Sequence, residues 1–107
     1  MKKLLYLLIL LPIIGYSQIQ VIHFNAGWNA VNDVKWVDDL IDCKVKWIDI
    51  QINVDAQSEH EIIVVPTIIV FNEGEEVKRF QADISFSMKA TKEDIQTMVD
   101  EILMDEF

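Results

Sequence analysis

The chain has 107 residues, 51% of them hydrophobic and 25% charged, which fits one small globular domain and excludes a disordered segment. Eighteen acidic against nine basic residues leave a net charge of −9, which argues against a nucleic-acid backbone as partner, since that binding needs clustered Lys and Arg. Cys43 is the only cysteine, so the fold must stand without an intrachain disulfide.

Met1 to Ser17 differ in composition from the rest. Lys2 and Lys3 precede a mostly apolar run, Leu4 to Ile14, and Gly15-Tyr16-Ser17 then presents small residues two apart. This is the pattern of a secretory signal peptide over 1–17, with cleavage before Gln18 and an exported domain over 18–107, periplasmic or secreted. The alternative is an uncleaved membrane anchor, but the run is about half of the roughly 20 residues a span requires, and Pro12 interrupts it. No stable membrane span is expected after cleavage. Losing two lysines and no acid takes the net charge from −9 to −11, which favours solubility and repels acidic partners.

Ile19 to Phe24, IQVIHF, are mostly β-branched or aromatic and predict a first strand that enters the core early. Asn25 to Asn32 then turn the chain toward a helix carrying Val34, Val37, Leu40 and Ile41, for which Asn29, Asn32 and Asp33 are the candidate caps. Val45 to Ile50 return as a second strand, and a crossover of this length makes it parallel to the first. Asp55 to Glu61 predict a polar helix, and the apolar run Ile62 to Val65 stops at Pro66. Thr67 to Phe71 form a third strand. Asn72-Glu73-Gly74-Glu75 is a turn in which Gly74 can take positive φ, and Val77 to Phe80 return antiparallel. Gln81 to Ala90 show no period and read as a loop or irregular edge. Thr91-Lys92-Glu93-Asp94 then caps a last helix whose apolar face is Ile95, Met98, Val99, Ile102 and Leu103.

The order β-α-β-α-β-β-α, the run Phe24-Asn25-Ala26-Gly27-Trp28, and Val65-Pro66-Thr67 followed by an apolar strand and Asn72-Glu73-Gly74-Glu75 together resemble the thioredoxin family. The resemblance covers most of residues 18–107. It implies an α/β, thioredoxin-like fold: a four-stranded mixed sheet flanked by helices, with a cis Val65-Pro66 bond facing the family's dithiol site. Carried over by position, the two cysteines of that site fall on Asn29 and Asn32, with Ala30 and Val31 between them. Both sulfurs are missing. Dithiol exchange needs one thiolate to attack and a second thiol to resolve, and an amide does neither. The family's buried acid falls on His23, which here has no thiol to deprotonate.

The loop Trp28, Asn29, Ala30, Val31, Asn32 therefore reads as a vestigial active-site loop. Its asparagines either cap the following helix or contact a ligand. His23 is either a hydrogen-bonded core histidine or a functional group. The resemblance also implies a shallow groove at Trp28, Val65 and Pro66, whose exposed backbone could pair with an extended peptide; equally, Trp28 could only pack the loop onto the core. Cys43 precedes the second strand whereas Asn29 follows the first, so parallel strands of about six residues put them on the order of 20 Å apart. It is a buried structural cysteine or, alternatively, the site of an intermolecular disulfide or a free reactive thiol.

His23, His60 and Cys43 are too scattered for a metal site, and no Gly-rich phosphate loop is present, so no cofactor is expected. The leading expectation is an exported thioredoxin-fold protein without dithiol catalysis that binds a protein or peptide non-covalently. Its competitors are monothiol exchange through Cys43 and a structural subunit of an assembly.

Overall fold

A computed structural model describes residues 18–105; Met1 to Ser17, the expected signal peptide, lie outside the described residues. Four strands form one mixed sheet in the order β2-β1-β3-β4, with β1 at Ile19–Asn25, β2 at Lys44–Asp49, β3 at Thr67–Asn72 and β4 at Glu75–Gln81. β2 runs parallel to β1, with Val21 opposite Val45 and Asn25 opposite Asp49. β3 is antiparallel to β1, and β4 to β3. The turn expected at 72–75 is a two-residue hairpin loop with φ of 53° at Glu73 and 84° at Gly74. Paired positive φ values match the twist of the flanking strands.

The sheet is apolar on both faces because β1 and β3 lie in its centre. Ile19 and Val21 of β1 join Ile68 and Val70 of β3 on one face, against Val34, Val37 and Leu40 and against Ile95, Val99 and Ile102 of helix α2 at Lys92–Asp105. On the other face Ile22, Phe24, Ile69 and Phe71 meet Ala26, Ile50, Ile62 and Val65. Fully burying such a side chain is worth about 1.5–3 kcal/mol, so these two clusters hold the layers together. α2 begins with the expected reciprocal cap: the Thr91 amide donates to Asp94 Oδ2 at 2.8 Å, and the Asp94 amide to Thr91 Oγ1 at 3.2 Å.

The first crossover corrects the sequence reading. No α-helix follows β1; two 3-10 helices stand there, at Gly27–Asn32 and Lys35–Asp39. The apolar spacing allows this, and packing selects it. Val34, Val37 and Leu40 recur at intervals of three, the period of a 3-10 helix, and all three are buried. Ile41, which an α-helical stripe would also bury, is 63% exposed. Asn, Asp and β-branched Val also make 29–39 a poor α-helical stretch. The other expected helix is present but shifted: α1 spans Val54–Glu59 rather than 55–61. Arg79 ties β4 to its end, donating to the carbonyls of His60 at 2.8 Å and Glu61 at 3.0 Å while pairing with Glu76.

This topology sets the site's position. The C-terminal ends of the parallel strands β1 and β2 and the N-terminal end of antiparallel β3 lie along one edge of the fold. Asn25, Asp49 and Thr67 mark that edge.

Candidate functional site

β1 ends on Asn25, a buried polar residue at the foot of the loop. Its carboxamide can be kept there only if its hydrogen bonds are met inside the protein. Asn25 Nδ2 donates to the Asn29 carbonyl at 3.0 Å and to Asp33 Oδ1 at 2.7 Å, while Asn25 Oδ1 accepts from Asn29 Nδ2 at 3.0 Å. Asn29 is only 3% exposed. Its Nδ2 also reaches the Val65 carbonyl at 3.4 Å, and its Oδ1 accepts from Asn32 Nδ2 at 2.8 Å. Asn25, Asn29, Asn32 and Asp33 thus form one bracket that fastens the loop to β1 and to the segment before Pro66.

The expectation that Asn29 and Asn32 cap an α-helix is corrected by this arrangement. There is no α-helix to cap, and neither 3-10 segment has a side-chain cap. The two positions nevertheless face each other, as residues three apart do in a 3-10 turn. Asn29→Cys combined with Asn32→Cys is therefore expected to close a disulfide on mild oxidation, leaving Cys43 as the single titratable thiol. Three titratable thiols after oxidation would show that positions 29 and 32 cannot be bridged.

Trp28 stands out from the bracket. It is 60% exposed, its amide donates to Gln51 Oε1 at 3.1 Å, and its ring meets Phe86 edge-on at 5.4 Å. Ala30 and Val31 face solvent, Val31 at 91% exposure. Between Trp28 and the 62–65 segment lies a recess of about 210 Å³, lined also by Gln51, Gln57 and Phe86. Of the groove residues expected from sequence, Trp28 and Val65 line this recess. Pro66 does not: it is fully buried, follows a cis Val65-Pro66 bond, and supports the floor through its carbonyl, which accepts from Ala82 at 3.0 Å.

Ile63 is 81% exposed. The amides of Ile63, Val64 and Val65 engage no partner among the described residues. The recess thus combines an aromatic wall and neutral amide side chains with a bordering segment whose backbone donors have no partner among the described residues.

Phe86 is the part of the site that sequence reasoning missed. It lies in the aperiodic stretch 81–90, where no hydrophobic spacing points to it. Asp83 organises this turn by accepting from the Ser85 hydroxyl at 2.6 Å and amide at 2.9 Å and from the Ser87 amide at 3.2 Å. The Ser85 hydroxyl, then the Ser87 and Ser85 amides, hold the Asp83 carboxyl down to about 2. Phe86 consequently sits at φ of 65°, a left-handed conformation that bulky residues avoid.

Cys43 lies at the opposite end of the sheet, just before the start of β2, whose first residue pairs with Gln20. It is half-buried. Burial, with the neighbouring charges of Asp42 and Asp100, pushes its thiol up to about 11, so at neutral pH it carries its proton and is a poor nucleophile. Among the described residues no group of three or more His, Cys, Asp or Glu is placed to hold a metal, and no helix is long and apolar enough to cross a membrane.

No protein-family model matches the sequence, and no curated protein is recognisably similar to it. Solved structures are. A point mutant of the thioredoxin from Halobacterium salinarum NRC-1 superposes with a TM-score of 0.62 at 19% identity, over 79% of this chain and 74% of that one. Thioredoxin-2 of the malaria parasite gives 0.63 at 15% identity, over 78% and 82%. Thioredoxin 1 of Thermosipho africanus TCF52B gives 0.61 at 15% identity, over 81% and 97%. The chain therefore has the thioredoxin fold, on a sequence with one cysteine and no Cys-x-x-Cys pair.

Proposed function

We propose that this is an exported thioredoxin-fold protein that binds extended protein segments non-covalently in the recess beside Trp28. Export rests on Lys2, Lys3 and the apolar run that follows them. The observation that carries the binding reading is the stretch Ile63 to Val65, whose unpaired amides lie beside an exposed tryptophan. Main-chain donors of this kind give an extended peptide affinity by strand-like pairing, while the recess selects its side chains. Besides the Trp28 indole, Gln51 and Gln57 are the only polar side chains lining it among the described residues, so the peptide part it accepts is apolar or neutral.

The buried asparagine bracket supports this reading. It replaces a reactive centre by a rigid one, holding the Trp28 wall and the Val65 floor at a set distance through hydrogen bonds that need no redox chemistry. The test is an amide-detected NMR titration with an unstructured peptide of alternating apolar and neutral polar residues. Shifts confined to Val64, Val65 and the Trp28 indole are expected. Equal shifts in the Trp28→Ala variant, or none in either protein, would overturn the proposal.

A further inference from the structure

His23 takes no part in the recess described above, yet its surroundings are unusual. It is fully buried near the end of β1, opposite Trp47 of β2 and Ile68 of β3, with the Trp47 ring centroid 4.0 Å away. Its Nε2 accepts from the Val34 amide at 3.0 Å. An imidazole nitrogen that accepts carries no hydrogen, so the neutral ring bears its proton on Nδ1. Nδ1 is buried and has no partner among the described residues.

Val34 is the residue on which the second 3-10 helix starts, and its carbonyl accepts from the Val37 amide at 3.2 Å. Its neighbour Asp33 anchors Asn25, and through Asn25 the whole asparagine bracket. One imidazole lone pair is thus among the polar anchors that fasten the crossover to the sheet, beside the Asn25–Asp33 bond and the Trp47 indole, which donates to Asp38 Oδ1 at 2.8 Å.

We propose that His23 is a proton-operated latch: neutral, it holds the Val34 amide, and protonated on Nε2 it expels that amide and frees the Val34 end of the second 3-10 helix. The chemistry admits no intermediate position. A proton from solvent on Nε2 yields an imidazolium with two N–H donors, one of them aimed at the Val34 N–H, and two donors cannot bond.

A recess and negative charge border the imidazole. A recess of about 200 Å³ reaches His23 and is lined by Asn25, Ala30, Asp33, Trp47 and Asp49 among others. Asp33 lines it from the crossover and Asp49 from β2, the Asp38 charge acts on the imidazole from the crossover, β3 contributes uncharged Ile68 opposite His23, and no Lys or Arg among the described residues lines the recess. Burial lowers the imidazole from its ordinary value of 6.5, against the upward pull of Asp33, of its own backbone carbonyl and of Asp38. The unfolded chain thus takes this proton more readily than the folded one. The stability that neutral His23 contributes is complete above about pH 6.5 and is lost as the pH falls from there through the lower folded value.

Release of Val34 would loosen its neighbour Asp33, and with it the bracket that sets the Trp28 wall. That consequence rests on the peptide-binding reading, whereas the latch itself does not. The experiment is an NMR pH titration of the chain from 7.5 to 4.5, following the His23 ring nitrogens and the hydrogen exchange of the Val34 amide corrected for its intrinsic pH dependence. Val34 exchange is expected to accelerate at least tenfold with the same midpoint as His23 protonation. In His23→Gln, where a side-chain oxygen can accept without titrating, that response is expected to vanish, while His60→Gln keeps it. A His23 titration that leaves Val34 protected, a His23 that stays neutral to pH 4.5, or a Val34 response that survives in His23→Gln would each overturn the latch. The wild-type titration is decisive even if His23→Gln folds poorly. No peptide is present, so failure of the latch and failure of the binding reading are read separately.

Discussion

Asn29→Ala is expected to lower the unfolding free energy by about 2–4 kcal/mol, as much as a large-to-small change in the apolar core. Asn29 sits in the bracket as both donor and acceptor. Truncation removes its bonds to Asn25 Oδ1 and Val65 O and the acceptor that Asn32 Nδ2 uses. The Asn25 oxygen stays buried with one partner gone, and an orphaned buried polar group costs about 1–3 kcal/mol. Asn32→Ala breaks only the outermost bond of the set, at a partly exposed residue, and about 1 kcal/mol or less is expected. Urea unfolding of the two variants measures the contrast. Equal small losses would mean that Asn29 contributes no more to stability than its partly exposed neighbour.

Trp28→Ala is expected to weaken binding of the extended peptide by about ten- to a hundredfold, equivalent to roughly 1.4–2.8 kcal/mol, while changing stability by less than about 1 kcal/mol. The separation follows from where the ring lies. Most of it is in solvent, so the folded state loses little when it is removed, whereas a bound peptide would lose its aromatic wall. Phe86→Gly is expected to act in the opposite direction, raising affinity a few-fold. Glycine accepts the φ of 65° without strain, and removal of the Phe86 ring uncovers the Trp28 edge it contacts. Calorimetric titration with the same peptide reads both, with thermal unfolding beside it. If Trp28→Ala binds as well as the parent, the wall is elsewhere.

Much of the fold was legible in the sequence because the signals concerned are local. The 72–75 turn needed only a glycine between two apolar runs, and the α2 cap needed only Thr91 and an acid three residues on. A buried β3 showed as the unbroken run from Thr67 to Phe71, since a strand covered on both faces has no polar side to alternate with. The crossover misled because Val34, Val37, Leu40 and Ile41 fit the α-helical and 3-10 periods nearly equally over so short a span. Packing against β1 decided between them: three residues at a spacing of three reach the core, and Ile41 turns away from it.

The site divides along the same line. The sequence by itself determined the strand order and, from it, that its one thiol lies at the far end of the sheet; the resemblance to thioredoxins implied that amides stand where a dithiol would and that Trp28 and Val65 share one surface. Only the tertiary structure decided what the amides do, because the partners of Asn29 include the Val65 carbonyl 36 positions away. It likewise decided that Pro66 lies buried behind the recess and not in its lining, that Phe86 borders the recess, and that His23 holds the Val34 amide. Hydrogen bonds and ring contacts of this kind depend on separations of about 3–5 Å between segments that the sheet brings together, and no spacing along the chain encodes them.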